Sequence, residues 1–219
     1  MAQRGTVVVV GGGIIGTVAA RRLAADGWAV TVLEPGPLEA ACSFGNGGAV
    51  GPDSCVPFSL PGMMRQVPRW LMDATGPVSV APAYALRAAP WLWRWIRAGN
   101  LDRARAVATA MRALHGDSLT GYRELLGPAA YGALFRETGS LYLYESDEPG
   151  RAEATGRALQ RNLGVTPQSL SAADIHDLEP DLAPVYKRGV LLPGNAFTIS
   201  PARLVAAVRD GLVAAGGTV

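Results

Sequence analysis

The sequence is poor in the residues that mark several function classes. Of its 20 basic residues only Lys187 is a lysine, leaving 19 arginines, and nothing gathers them into a basic stripe. With a formal net charge of +2, nucleic acid is not an expected partner. The two histidines, His115 and His176, and the two cysteines, Cys42 and Cys55, lie at no metal-ligand spacing. No metal site is predicted, and two free thiols in a reducing compartment are expected. Long apolar runs are missing too. The best, residues 6–20, is interrupted by Gly11, Gly12 and Gly13 and followed by Arg21 and Arg22, so it is neither a membrane span nor a secretory signal. A cytoplasmic location is expected, with any membrane attachment peripheral and on the cytoplasmic face of the inner membrane. Charged residues make up 17% and hydrophobic residues 49% of the 219, which fits a globular chain of one large or two small domains.

Glycine, by contrast, is abundant, and its placement is informative. Val7–Val10 run into Gly11-Gly12-Gly13-Ile14-Ile15-Gly16, a Gly-x-Gly-x-x-Gly turn, and Glu34 follows eighteen residues after Gly16. Residues 6–10 read as a buried parallel strand. Gly11 allows the sharp turn, Gly13 leaves room for a pyrophosphate, and Gly16 lets the following helix pack close to the strand. That helix would direct its free N–H groups and positive dipole end at phosphate. Ile15, Val18, Ala19, Leu23 and Ala24 recur at helical spacing, Gly27 suits a left-handed cap, and Ala29–Leu33 form a second strand. Glu34 then stands where a carboxylate accepts both hydroxyls of an adenosine ribose.

Residues 35–61 form a long Gly, Pro and Ser segment without helical or alternating period, and such loops inside compact domains are usually functional. At its centre Ser43 and Asn46 offer short polar side chains, while Gly45, Gly47 and Gly48 permit close backbone approach to a ligand. The candidate cofactor-binding set is therefore Gly11, Gly12, Gly13, Ile14, Ile15, Gly16, Glu34, Ser43, Asn46, Gly47 and Gly48.

The glycine turn, Glu34 and Ser-Phe-Gly-Asn-Gly-Gly at 43–48 together resemble the FAD-dependent D-amino-acid dehydrogenases. That group belongs to the flavoprotein superfamily of D-amino-acid oxidase, glycine oxidase and sarcosine oxidase. Thr138–Tyr144, Leu178–Pro184 and Gly189–Gly194 leading to Ser200-Pro201 also look similar, as does the Trp-rich stretch at 61–97. The resemblance implies FAD as cofactor and a D-amino acid as substrate. It implies oxidation at the α-carbon with hydride passing to the flavin, hydrolysis of the imino acid to a 2-oxo acid and ammonia, and electrons leaving to a quinone or another acceptor. The substrate-carboxylate anchors of the family lie mostly in its later half, so no catalytic residue is assigned. By the same comparison the sequence is expected to be an N-terminal half that alone binds FAD poorly and tends to aggregate. Glycine or sarcosine oxidase-like amine oxidation, an NAD-dependent dehydrogenase, and a non-catalytic nucleotide-binding module remain alternatives. Glu34 fits either dinucleotide, whereas the long loop after the second strand favours FAD, because a nicotinamide domain usually proceeds to another helix and strand within a few residues.

In the middle of the chain, helices are expected over Val67–Ala74, Ala89–Ala98 and Leu101–Leu126. Trp91 and Trp95 share one helical face with Trp93 well off it, which suggests a core or interface helix, or a membrane-surface patch with Arg94 and Arg97 at the headgroups. Leu141 and Leu143 alternate with Tyr142 and Tyr144 as in a half-buried strand. A helix at about 149–163, a strand-like Val165–Leu170 and a short helix capped by Ser171 and Asp174 follow. Ser200 and Pro201 open a helix carrying Leu204, Val205, Val208, Leu212 and Val213, closed by Gly216-Gly217, and Thr218-Val219 start another strand. The expected fold is α/β (α+β overall), a Rossmann-like βαβ unit with a helical and β-containing insertion. Residues 1–60 and 185–219 would form the incomplete FAD-binding domain and 61–184 the start of a substrate domain.

Overall fold

The computed structural model describes residues 4–37, 39, 41–63, 67, 72 and 81–219. They divide into two compact units, one from Met1–Val50, Asp117–Thr138 and Asn195–Val219, the other from Gly51–Gly116 and Gly139–Gly194. Burial sets these bounds, which differ from the expected ones. Residues 117–138 join the first unit because Leu119, Leu125, Leu134 and Phe135 bury with Ala196, Leu204 and Val208. Residues 51–60 and 185–194 join the second because Cys55, Val190 and Leu192 share one of its cores and Leu60 lies in another.

In the first unit, strand β1 (Thr6–Val10) pairs in parallel with β2 (Ala29–Leu33), in register from Thr6↔Ala29 to Val10↔Leu33. Helix α1 (Ile14–Ala25) connects them, and Gly27 follows it at φ +88°, as a left-handed helix end demands. Thr218 adds a parallel rung beyond β2: its N–H donates to the Val30 carbonyl at 3.0 Å, and the Val32 N–H donates to the Thr218 carbonyl at 2.8 Å. Helix α7 (Pro201–Ala214) lies against α1, with the Ser200 side chain accepting the Arg203 N–H as its N-cap. Ala20, Val30, Val32 and Leu212 bury between these helices and one face of the strands. A second, antiparallel sheet in this unit runs in the order β3 (Ala49–Val50), β8 (Ala196–Thr198), β4 (Phe135–Arg136).

Two sequence expectations fail here for one physical reason, the sidedness of a small sheet. β1 is half open, since Val8 and Val10 are 55% and 84% exposed and only Val7 and Val9 turn towards α1. Within α1 the fully buried positions are Thr17 and Ala20, whereas Ile15 is 82% exposed. Small residues face the strands because the helix is drawn close to them, and the bulky Ile15 falls on the far side.

The second unit is built on an antiparallel sheet in the order β5 (Ser140–Tyr144), β7 (Arg188–Leu192), β6 (Gln168–Ser171). β6 begins three residues later than the strand read from Val165, because Val165 turns inward to the core instead. Helix α5 (Arg151–Asn162) matches expectation, as does α6 (Ala172–Leu178), whose capping box has both reciprocal bonds between Ser171 and Asp174. The expected helix 101–126 is instead two, α3 (Leu101–His115) and α4 (Ser118–Leu134), the latter in the first unit. The Gly116 N–H closes α3 on the Arg112 carbonyl, and a Cβ there would sit 2.6 Å from that oxygen, so the chain turns away at Asp117. α4 then continues past Gly127, which is non-helical at φ +75°.

Helix α2 (Ala85–Ala98) starts before Ala89 and holds Pro90 in its interior. The carbonyl that Pro90 leaves unpaired belongs to Leu86, which is 90% exposed and open to water. The expected helix Val67–Ala74 lies outside the described residues except for Val67 and Met72. The tryptophan helix is not a core element: Trp91 and Trp93 are 63% and 60% exposed, and Trp91 stacks on Trp95 at 6.5 Å.

A buried polar knot ties the second unit together. The Asp53 carboxylate accepts Arg112 Nη1 at 3.1 Å and the Gly194 N–H at 2.9 Å, while its carbonyl accepts Gln160 Nε2 at 2.9 Å. Three separated stretches of chain thus meet at one residue, two of them at its carboxylate and the third at its carbonyl.

Candidate functional site

The glycine turn folds as its spacing dictates. Gly11 adopts φ +102°, which L side chains rarely take, and its N–H donates to the Leu33 carbonyl at 2.8 Å. A Cβ on Gly16 would run into the Gly11 carbonyl, so the first turn of α1 can approach β1 only without one. Thr17, outside the set predicted from sequence, is fully buried, and its hydroxyl lies 2.9 and 2.7 Å from the Gly12 and Gly13 carbonyls, sharing its one proton between them. The only signal it offers in sequence is that a hydroxyl stands among the apolar residues of an amphipathic helix. It fixes the carbonyls inward and so leaves the N–H side of the turn facing out.

Glu34 closes this turn from β2. Its Oε2 accepts the Gly12 N–H at 2.5 Å and its Oε1 accepts the Gly36 N–H at 3.4 Å. A Cβ on Gly12 would stand 3.0 Å from Glu34 Cβ, so glycine there lets the acid reach the turn. Ser43 comes from the loop to the same place: its Oγ accepts the Ile14 N–H at 3.0 Å and lies 3.1 Å from where a Gly13 Cβ would be. The structure thus brings Gly12, Gly13, Ile14, Glu34 and Ser43 together at the start of α1.

Gly11 and Gly16 shape the same turn, whereas Ile15, Asn46, Gly47 and Gly48 make no hydrogen bond to this group. Asn46 folds onto its own loop, its Oδ1 accepting the Gly48 N–H at 2.8 Å and its Nδ2 donating to the Cys42 carbonyl at 3.4 Å. Gly48 is tightly constrained: at φ +67° a Cβ would lie 2.5 Å from the Thr198 carbonyl of β8. Gly47 has open space around it, and Ile15 points to solvent. A small cavity of about 80 Å³ opens beside the turn, with Ile14, Ser43, Asn46, Gly48, Tyr122 and Thr198 among its walls. Tyr122 and Thr198 were not foreseen. Burial pushes the Tyr122 phenol up, so it stays protonated and able to donate.

This volume suits a few waters and is far below a dinucleotide's. A dinucleotide would therefore lie along the open turn, over glycines whose missing Cβ atoms leave the backbone accessible. The residues fit such a group: a helix N-terminus for the pyrophosphate, and a carboxylate at the second strand for ribose hydroxyls. Among the described residues no cluster of three His, Cys, Asp or Glu could hold a metal, and no helix is long and apolar enough to cross a membrane.

Comparison with known proteins agrees with this geometry. The chain is 30% identical over 213 residues to a D-amino-acid oxidase of Bradyrhizobium diazoefficiens, covering 96% of this chain and 50% of that protein. Among solved structures, glycine oxidase from Bacillus cereus shares its fold at a TM-score of 0.55 and 17% identity, covering 99% of this chain and 45% of that one. An L-alpha-glycerophosphate oxidase from Mycoplasma pneumoniae with FAD bound does so at 0.58 and 15%, covering 100% and 44%. The chain therefore spans about half the length of the relatives it matches. The profile of the family described as FAD dependent oxidoreductase matches residues 6–219, and the chain belongs to that family.

Proposed function

We propose that this chain supplies the adenosine and pyrophosphate part of an FAD site in an enzyme that oxidises the C–N bond of a D-amino acid to the imino acid, which water converts to a 2-oxo acid and ammonia. The observation that carries the dinucleotide site is the Glu34 carboxylate held on the Gly12 N–H at the mouth of the glycine turn, and the match of residues 6–219 to the FAD-dependent family supports FAD as that dinucleotide. On loading, Glu34 would exchange that bond for the ribose hydroxyls, Gly12, Gly13 and Ile14 would offer backbone N–H groups to the pyrophosphate, and Ser43 would release the Ile14 N–H it now caps. Bound FAD supplies the two-electron acceptor for the α-carbon hydride. The substrate class rests on the resemblance of Ser43–Gly48 and on the D-amino-acid oxidase relative, and it is the finer part of the proposal.

Two measurements test it. Titration by flavin fluorescence should give selective binding of FAD over NAD, with Glu34→Gln weakening FAD by about tenfold, the size of a lost charge-assisted pair of hydrogen bonds. Preferential NAD binding would reverse the cofactor assignment. Dye reduction with D-amino acids, L-amino acids, glycine and sarcosine in turn then separates the substrate classes.

A peripheral membrane contact belongs to the same proposal. Trp91 and Trp93 stand exposed on α2, which carries Arg87, Arg94 and Arg97 and no acidic residue. Co-sedimentation with anionic vesicles at low salt, lost in a Trp91→Ala, Trp93→Ala double variant, is the expected result if α2 delivers electrons near a quinone pool; retention of binding by that variant would remove the helix from the account.

A further inference from the structure

The chain has four asparagines, and only Asn46 is followed by glycine. That neighbour matters because a side chain on the following residue screens its backbone nitrogen, and glycine has none. Asn46 and Gly47 are both exposed, and a Cβ at Gly47 would meet nothing within 4 Å. The Gly47 N–H is bonded to no described residue. The nitrogen beside the Asn46 amide is thus uncrowded and uncommitted.

The amide itself is held ready for attack. Asn46 Oδ1 accepts the Gly48 N–H at 2.8 Å, which folds the side chain back over the Gly47 peptide. The same bond polarises Cγ and supplies a donor where negative charge gathers on Oδ1. The leaving nitrogen is loosely kept, since Nδ2 donates to the Cys42 carbonyl at 3.4 Å. The other asparagines lack this combination. Asn100 Oδ1 caps α3 through the Arg103 N–H, Asn162 lies in α5, and Asn195 is buried, with leucine, leucine and alanine following them.

We propose that Asn46 is a site of spontaneous covalent modification that lowers the cofactor affinity of the glycine turn as the protein ages. The Gly47 nitrogen bonds to Asn46 Cγ, the Cγ–Nδ2 bond breaks, and ammonia leaves carrying the Gly47 amide proton. Water then opens the cyclic imide at either carbonyl: attack at Cγ gives aspartate at 46, and attack at the backbone carbonyl gives isoaspartate. Neither step needs an enzyme or an oxidant. The new carboxylate stands in the wall of the cavity that Ile14, Ser43 and Gly48 share, where it opposes a pyrophosphate on the turn. Isoaspartate also adds one backbone atom to the loop. Gly48 cannot give way, because its carbonyl accepts the Thr198 N–H at 2.8 Å and its Cα is pressed against the Thr198 carbonyl. The added length therefore falls on the Ser43 side and draws Ser43 off the Ile14 N–H. The loss of affinity rests on the proposed FAD site; the modification does not.

The test ages the 219-residue chain at mildly alkaline pH. Peptide mass spectrometry should show the amide at 46 turning to acid, as aspartate and isoaspartate, while those at 100, 162 and 195 persist. Gly47→Val, which sets a branched side chain beside the attacking nitrogen, should slow the conversion at least about tenfold. An Asn46 that stays intact in the folded chain while converting in urea overturns the proposal, as does Gly47→Val converting at the native rate. If Gly47→Val does not fold, the comparison with urea decides. Flavin fluorescence titration should give Asn46→Asp an FAD affinity about tenfold below native, with a smaller loss for the uncharged Asn46→Ser. Equal affinity of Asn46→Asp and the native chain overturns the effect on cofactor. Should the native chain bind no FAD, the FAD reading fails by itself, and the Ile14 amide decides: faster hydrogen exchange in the aged chain supports the displacement of Ser43, and unchanged exchange overturns it.

Discussion

At the scale of single residues, glycine and aspartate positions make the sharpest claims. Gly48 combines φ +67° with a Cβ that would fall 2.5 Å from a backbone carbonyl. Neighbouring Gly47 has nothing within 4 Å. Gly48→Ala should cost about 2–3 kcal/mol and lower Tm by roughly 5–10 °C in a chain of this size, whereas Gly47→Ala should stay within about 1 °C. Equal melting of the two variants would show that the β3–β8 approach does not constrain the loop. Asp53→Ala strands Arg112 and frees the Gly194 N–H, and should cost about 3–5 kcal/mol in urea unfolding. Glu137 gives a pH-dependent case. Its carboxyl is held below the ordinary glutamate range chiefly by the Arg123 guanidinium, with the Tyr131 phenol donating to its other oxygen at 3.0 Å. A lowered folded value means stability present above about pH 4.3 and lost as pH falls through the folded value. The pair is exposed, so the effect is modest. Melting from pH 6 down to pH 3 should fall more steeply for the native chain than for Glu137→Gln.

At the scale of elements, what was legible in the sequence was local. α1, β2, α5, α6 and α7 announce themselves through caps and periodicity, and Ser200→Ala should destabilise by about 1 kcal/mol because it removes the side chain that accepts the Arg203 N–H. Elements fixed by distant partners were not legible. Ala49–Val50 and Phe135–Arg136 are each two residues long and exist as strands only because Ala196–Thr198 lies between them, a relation with no local pattern. The break at Gly116 was hidden because α3 and α4 both have helical periodicity right up to it. For the candidate site the same division holds. Gly11, Gly12, Gly13, Gly16 and Glu34 sit in one βαβ unit and could be read from spacing, and Ser43 could be read from its loop. Tyr122 and Thr198 reach the cavity from stretches 79 and 155 residues beyond Ser43. Thr17 was not legible because a hydroxyl residue does not count towards an apolar period, although Val18, Leu23 and Ala24 of the expected face do pack against the core.

At the scale of the whole molecule, the parallel strand pair presents one uncovered face. Val8, Val10 and Leu33 are 55%, 84% and 52% exposed, a contiguous apolar strip on the side of the sheet away from α1 and α7. Such a strip should drive self-association of the 219-residue chain. Val8→Lys with Val10→Lys is expected to shift it towards monomer in light scattering coupled to gel filtration, with little change in Tm, since neither side chain is buried. If the double variant associates as strongly as the native chain, the strip is not the cause, and the exposed Trp91 and Trp93 of α2 become the next surface to alter.

The first unit is stitched from three stretches, and its α1 and α7 helices, in direct contact, are separated by some 175 residues of chain. The contact that buries Val30, Val32 and Ala20 therefore closes a loop of that length, and α7 and Thr218 must both be in place before it forms. Loop closure over so long a span is slow beside the growth of a helix or the pairing of β5 with its neighbours, so the glycine turn, although its own motif is local, gains its packing late in folding.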